Sequence, residues 1–263
     1  MTTSTGTSQL ALALALAQIQ LNPASRAVHR DLANPGNMHR TVMNLIDRDR
    51  DNPTARRDAN LLYRTERNPA GAALLVQATV PLHLDRLPDD YALTCAQRDA
   101  TPVLHWITAG RTVRYRIHGN PDTCVRDPKA LQKEADRRAE SAVKAGKSYA
   151  EATKVRDEFL ERVARNAAKR RGITLPATSD NINAWWTRTA EANGLRLELV
   201  IDSPLPRVNA TRSSGRAVTL GATAFDGIAT IADPDAVRAA VTNGIGKGQA
   251  YGLGLLSLAP HTR

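Results

Sequence analysis

The chain has 263 residues, 42% of them hydrophobic, and carries 36 Lys and Arg against 26 Asp and Glu, a formal charge of +10. That length allows one large domain or two small ones, the composition excludes a fibrous or wholly disordered chain, and the charge makes nucleic acid the first candidate partner. Aromatic residues are 4% of the chain, too few for a long groove of stacked bases, so the expected grip is on nucleic-acid backbone and shape. Two cysteines, Cys95 and Cys124, exclude a disulfide-dense scaffold and a four-cysteine zinc site and read as two reduced thiols. No apolar run reaches the roughly 20 residues of a membrane span. The stretch 11–17 is apolar but short, and the first basic residue is Arg26, which makes a poor signal peptide. Cytoplasmic residence with no membrane partner is the expectation.

In chain order, residues 1–9 are rich in Thr, Ser and Gly and are expected to be a frayed tail. Alternation over 11–21 predicts a strand that Asn22-Pro23 ends. The segment that follows, with Arg26, His29 and Arg30, reads as a loop. Asn34 then caps a helix whose first residue is Pro35 and whose core stripe is Met38, Val42, Leu45 and Ile46. It fades in the charged run 47–51 before Asn52-Pro53. Residues 72–84 predict a strand, and the alternation over 112–117 predicts another that Gly119-Asn120-Pro121 closes. Residues 128–171 hold 13 Lys or Arg and 7 Asp or Glu. They predict two helices, 129–145 and 149–171, split near Gly146. A helix over 179–193 follows, then strands at 196–201, 216–225 and 228–231, a helix at 233–241 and a last strand at 252–258.

No Walker A or Rossmann glycine fingerprint occurs. None of the six histidines pairs with Cys or acids at metal-ligand spacing. No cofactor or protein-held metal is expected. Two segments carry the chemistry. The first, Asn22 to Val42, places Arg26, His29, Arg30, His39 and Arg40 around a helix N-terminus, where free N–H groups attract phosphate. The second, Gly244-Ile-Gly-Lys-Gly-Gln-Ala-Tyr-Gly-Leu-Gly-Leu-Leu-Ser-Leu-Ala-Pro260, combines glycines that permit close backbone approach with Lys247 as a phosphate partner.

Together these segments resemble the CRISPR repeat-processing endoribonucleases of the type I-E Cascade complex, the CasE family. Arg30-Asp-Leu-Ala-Asn-Pro35 and Met38-His-Arg-Thr41 are similar to the family's first loop and helix, and the glycine-rich tail is similar to its C-terminal signature. Arg114–Pro121 is similar to a family strand ending in Asn-Pro, and Phe225-Asp226-Gly227 to its Phe-Glu-Gly.

The resemblance implies an α+β fold of two tandem ferredoxin-like (βαββαβ, RRM-like) domains. The first, 1–119, carries the catalytic histidine. The second, 120–263, carries a helical insertion over about 128–193 and the glycine-rich loop. It implies metal-independent cleavage of precursor CRISPR RNA at the base of the repeat hairpin, with the 2′-hydroxyl as nucleophile and 2′,3′-cyclic phosphate and 5′-hydroxyl ends. The product RNA then stays bound as the protein joins the other Cascade subunits. By motif position His39 is the catalytic histidine, as general base or acid. Arg26 and Arg30 are candidates to hold the scissile phosphate. Some relatives carry a tyrosine three positions before the histidine, where this chain has Gly36, and His29 is the candidate substitute. Arg40, the hairpin arginines Arg207, Arg212 and Arg216, and Lys247 and Gln249 of the glycine loop are candidates to bind the RNA. The other reading that Gly36 leaves open is a non-catalytic hairpin-binding subunit of Cascade.

Overall fold

The computed structural model describes residues 14–49, 51–68, 71–168, 173–175, 179–211, 215 and 217–261. In chain order the elements are β1 (Ala15–Leu21), α1 (Arg26–Ala33), α2 (Pro35–Met43), the short α3 (Ala55–Asp58), β2 (Leu62–Asn68), β3 (Gly71–Ala78), β4 (Ala92–Asp99), α4 (Thr101–Trp106) and β5 (Thr112–Gly119). Then come β6 (Thr123–Val125), α5 (Pro128–Lys144), α6 (Tyr149–Ala168), β7 (Ile173–Leu175), α7 (Ser179–Ala192), β8 (Leu195–Thr211), β9 (Ala217–Ile231), α8 (Pro234–Asn243) and β10 (Ser257–Pro260). They divide into two compact units, Met1–Pro121 with Ser179–Arg263, and Asp122–Thr178.

The larger unit holds two four-stranded antiparallel sheets, ordered β2-β3-β1-β4 and β10-β5-β9-β8. Both orders are those of a ferredoxin-like βαββαβ unit, so two such units follow in tandem. In the first, a single 3-10 turn at Leu84–Arg86 stands between β3 and β4, where the second helix of the pattern would lie. In the second, α7 and α8 are the two crossover helices.

The boundary near residue 120 is corrected by the pairing. Thr112–Gly119 bonds to β9 and β10, so it opens the second sheet rather than closing the first domain. The insertion is also shorter than 128–193. α7 belongs to the larger unit and buries Trp186 in the second sheet's core beside Tyr115 and Phe225. The segment read as a loop before Asn34 is α1, with Ser25 as its cap: the Ser25 hydroxyl accepts from the Val28 N–H. The strands expected at 216–225 and 228–231 are one, β9, and β2 and β4 were not anticipated.

Each sheet packs its helices over one face. The first core joins Ala17, Ile19 and Leu21 of β1 to Val28, Met38 and Val42 of the helices. The two sheets are tied by buried polar contacts. Arg64 on β2 is 2% exposed. It donates to the Leu255 carbonyl at 2.9 Å, the Arg116 carbonyl at 3.2 Å and the Ser257 hydroxyl at 3.0 Å, and it pairs with Glu66 at 2.5 Å. Such a charge is stable inside only because every donor direction is met.

The smaller unit is a β6-β7 pair with the α5 and α6 helices, turned at Gly146. Its own cluster is Leu131, Ala135, Phe159 and Ile173. The Arg138 guanidinium lies 4.6 Å over the Phe159 ring. No described helix is long and apolar enough to cross a membrane.

Candidate active site

α2 begins where its sequence says it must. The Asn34 side chain accepts from the Gly36 N–H at 2.8 Å, and Pro35 occupies the first turn without a lost donor. Met38 and Val42 face the core, which leaves His39 partly exposed on the neighbouring side. The pitch of α2 against α1 is held by Asp31, whose side chain is fully buried. Its carboxylate accepts from Thr41 Oγ1 at 2.5 Å, Tyr91 Oη at 2.9 Å and Arg30 Nε at 3.1 Å. Asp31→Ala strands the buried Tyr91 hydroxyl and the Thr41 hydroxyl and is expected to cost about 3 kcal/mol, read as a lowered urea midpoint with an unchanged slope.

The second wall is the segment between α8 and β10. Gly248 (φ 89°) and Gly252 (φ 82°) bracket a 3-10 turn at Gln249–Tyr251. Both adopt left-handed backbone, and a Cβ on Gly252 would lie 3.1 Å from the Tyr63 ring. That close approach lets the buried Tyr63 hydroxyl donate to the Ala250 carbonyl at 3.0 Å while lying 3.4 Å from the Pro35 carbonyl. One tyrosine of β2 thus sets the glycine loop against the start of α2. Burial holds its phenol far above its ordinary ionisation range.

Between these walls lies a cavity of about 1460 Å³, lined by Gly36, Asn37, His39 and Arg40 of α2, by Arg56 and Arg57 of α3, and by Lys247, Gln249 and Tyr251 of the loop, among others. No carboxylate among the described residues lines it. Burial is the main cause that lowers the His39 pKa to about 4, and the nearby Arg56 and Arg48 charges push the same way. Burial and Arg57 also lower the pKa of Arg56. At neutral pH the imidazole is therefore uncharged, with a free lone pair, in a cavity whose charged groups among the described residues are all cations. Its Nδ1 is buried without a hydrogen-bond partner among the described residues. A neutral base in a positive cavity suits proton transfer beside a bound phosphodiester.

The structure brings together four of the residues singled out in the sequence: His39, Arg40, Lys247 and Gln249. Arg40 bonds Asn37 within its own helix. Gln249 donates its amide to the Asn243 carbonyl at 3.0 Å, closing the end of α8. Arg26, His29 and Arg30 do not line this cavity. They ride on α1, which is a helix rather than the expected loop; Arg30 pairs with Asp31, and the His29 ring nitrogen lies 2.7 Å from the Pro23 carbonyl. Arg207, on β8, lines a second cavity of about 640 Å³ with Arg67, Arg116 and His118. Arg212 and Arg216 lie outside the described residues. Sequence reasoning passed over Arg56, Arg57, Tyr63 and Tyr251. The adjacent arginines just after Asn52-Pro53 and the tyrosine inside the quoted glycine segment were the available signals.

Comparison with known proteins gives the chain a family. The profile of a family described as CRISPR associated protein matches residues 15–260. The CRISPR-associated endoribonuclease Cse3 of Thermus thermophilus is 28% identical over 256 residues, covering 92% of this chain and 98% of that protein. A solved structure of Thermus thermophilus Cse3 bound to an RNA representing a pre-cleavage complex superposes with a TM-score of 0.66 at 26% identity, covering 94% of this chain and all of that one. A chain of a CRISPR RNA-guided surveillance complex in a pre-nicking state is 28% identical with a TM-score of 0.57, covering 94% of this chain and all of that one.

Proposed function

Because the chain belongs to the family of CRISPR-associated proteins, we propose that it is a metal-independent endoribonuclease that cleaves precursor CRISPR RNA at the base of the repeat hairpin. It then remains on the mature RNA as a subunit of Cascade, with the other type I-E subunits as its protein partners. The observation that carries this reading is the uncharged His39 imidazole in a cavity walled by Arg40, Arg56, Arg57 and Lys247 and by no described carboxylate. RNA brings its own nucleophile, the 2′-hydroxyl, so the protein must supply proton transfer and charge stabilisation rather than an activated side chain. His39 takes the 2′-hydroxyl proton as general base. Arg40 and Lys247 face the negative charge that grows on the phosphate oxygens as the cyclic phosphate forms. Arg26, Arg30 and Arg207, outside the cavity, meet the hairpin through its phosphates, and Arg212 and Arg216 extend that contact.

The relatives support this reading by their names and complexes: an endoribonuclease, an RNA-bound pre-cleavage state, and an RNA-guided surveillance assembly. The nucleophile is tested with two hairpins that differ in one atom. The all-ribose repeat is cut, and the repeat with a 2′-deoxy nucleotide at the scissile position is bound and left intact. Cutting of the deoxy hairpin would contradict the mechanism. With a formal charge of +10, affinity for the uncut hairpin is expected to fall about 10³-fold between 50 and 200 mM salt; a flat response would contradict the electrostatic grip.

A further inference from the structure

Cleavage by an internal 2′-hydroxyl needs two proton transfers, one off the nucleophile and one onto the departing 5′-oxygen. An uncharged His39 serves the first and leaves the second without a donor. The other ionisable side chains on the described cavity wall are Arg40, Arg56, Arg57, Lys247 and Tyr251. Arginine does not give up its proton in a protein. Lys247 is exposed, and its compact ammonium suits the phosphate's charge.

Tyr251 is placed differently. It is half-buried at the end of the 3-10 turn, and its N–H donates to the Gly248 carbonyl at 2.7 Å. The residue before it is held by Tyr63, and the residue after it is a glycine pressed to the Tyr63 ring. Its backbone is thus fixed on both sides. Its hydroxyl makes no hydrogen bond to any described residue. Gly36, on the facing helix, contributes no side chain to compete for the space. A rigidly mounted phenol with an unspent hydroxyl, lining the same cavity as a helix-borne base, suits the second transfer.

We propose that the Tyr251 hydroxyl is the general acid of the reaction, donating its proton to the 5′-oxygen as the P–O5′ bond breaks. The inference rests on the endoribonuclease reading above. The 2′-O–H bond breaks with its proton going to His39, the P–O2′ bond forms, the P–O5′ bond breaks, and the 5′-oxygen takes the Tyr251 proton. The imidazolium then returns its proton through water to the phenolate, and both groups are restored.

The test uses wild type, Tyr251→Phe and His39→Ala on two repeat hairpins, one with the natural linkage and one with sulfur replacing the bridging 5′-oxygen at the scissile phosphate. A thiolate leaves without protonation. Tyr251→Phe is expected to cut the natural linkage about 10²- to 10³-fold more slowly, to cut the sulfur linkage at the wild-type rate, and to bind the 2′-deoxy hairpin with wild-type affinity, which shows the fold intact. His39→Ala is slow on both. Wild-type cutting of the natural linkage by Tyr251→Phe overturns the proposal, as does an equal loss on both linkages, which would make Tyr251 a positioning residue. A wild type that cuts neither hairpin removes the endoribonuclease reading and this inference with it.

Discussion

His39→Ala is expected to lower the rate of hairpin cleavage by about 10³-fold or more and to leave hairpin affinity within about twofold of wild type. The separation follows from where the imidazole sits. It is uncharged at neutral pH, so it adds nothing to the counterion-releasing grip, which the proposed function assigns to the arginines and Lys247. The pH profile of the wild type carries the same information with a definite sign. With His39 as the proposed general base the active form is the deprotonated imidazole, and in the free protein its pKa is lowered to about 4. The value of kcat/KM therefore rises with pH through about 4 and is level at 6.5, the ordinary titration point of a histidine. In kcat the limb moves upward, because a bound phosphodiester favours the imidazolium. An acid limb of kcat/KM centred on 6.5 would mean that the ring is not held among Arg56, Arg48 and the cavity wall.

Gly227→Ala is expected to have the largest effect on stability, about 4 kcal/mol or more. A Cβ at Gly227 would sit 1.9 Å from the Leu199 carbonyl oxygen and 2.7 Å from the Tyr115 hydroxyl. The close approach has a cause in the pairing. The β8 register slips between Leu197 and Leu199, and the bulge presses the Leu199 carbonyl over β9. That carbonyl accepts from Tyr115 Oη at 3.1 Å, which itself accepts from Trp186 Nε1 at 3.1 Å. The chain of bonds joins α7, β5 and β8, and burial pushes the Tyr115 phenol up to about 12. Any added methyl at residue 227 must displace backbone rather than a flexible side chain. Chemical denaturation reads the loss. A variant within about 1 kcal/mol of wild type, inside the range of an unremarkable surface change, would contradict the bulge geometry.

The elements legible in the sequence were those with local signatures. Asn34-Pro35 announces α2, Gly146 divides α5 from α6, and the alternation of Thr112–Ile117 marks β5. The strands that were not legible lack a pattern because their environment is not local. β4 is an edge strand whose residues after Ala92 are all exposed, so no apolar alternation records it. β2 hides a charge: Arg64 is buried because the second sheet offers it carbonyls, which a reading of β2 alone takes as a solvent-facing position. β8 runs through Pro204 and Pro206, which normally end a strand, and it tolerates them as an edge.

The site divides in the same way. His39 and Lys247 were legible because glycines and a helix cap surround them. The pair Arg56 and Arg57 reaches the cavity through a four-residue helix that no periodicity reveals. Tyr63 meets the two neighbours of Tyr251, through a hydrogen bond to the Ala250 carbonyl 187 positions away and close approach to Gly252, which only the tandem arrangement of the two sheets brings about. Arg26 and Arg30 were the sequence's candidates to hold the scissile phosphate; on α1 they do not line the cavity that His39 lines, and Arg30 pairs with Asp31.

The most direct test of the account is a single cleavage experiment on the repeat hairpin in EDTA, with wild type and His39→Ala side by side and the product ends identified. The account predicts one cut at the base of the hairpin by wild type alone, a 2′,3′-cyclic phosphate on the upstream product, a 5′-hydroxyl on the downstream one, and tight hairpin binding by both proteins. Tight binding without cutting by either protein, or equal cutting by both, would contradict it.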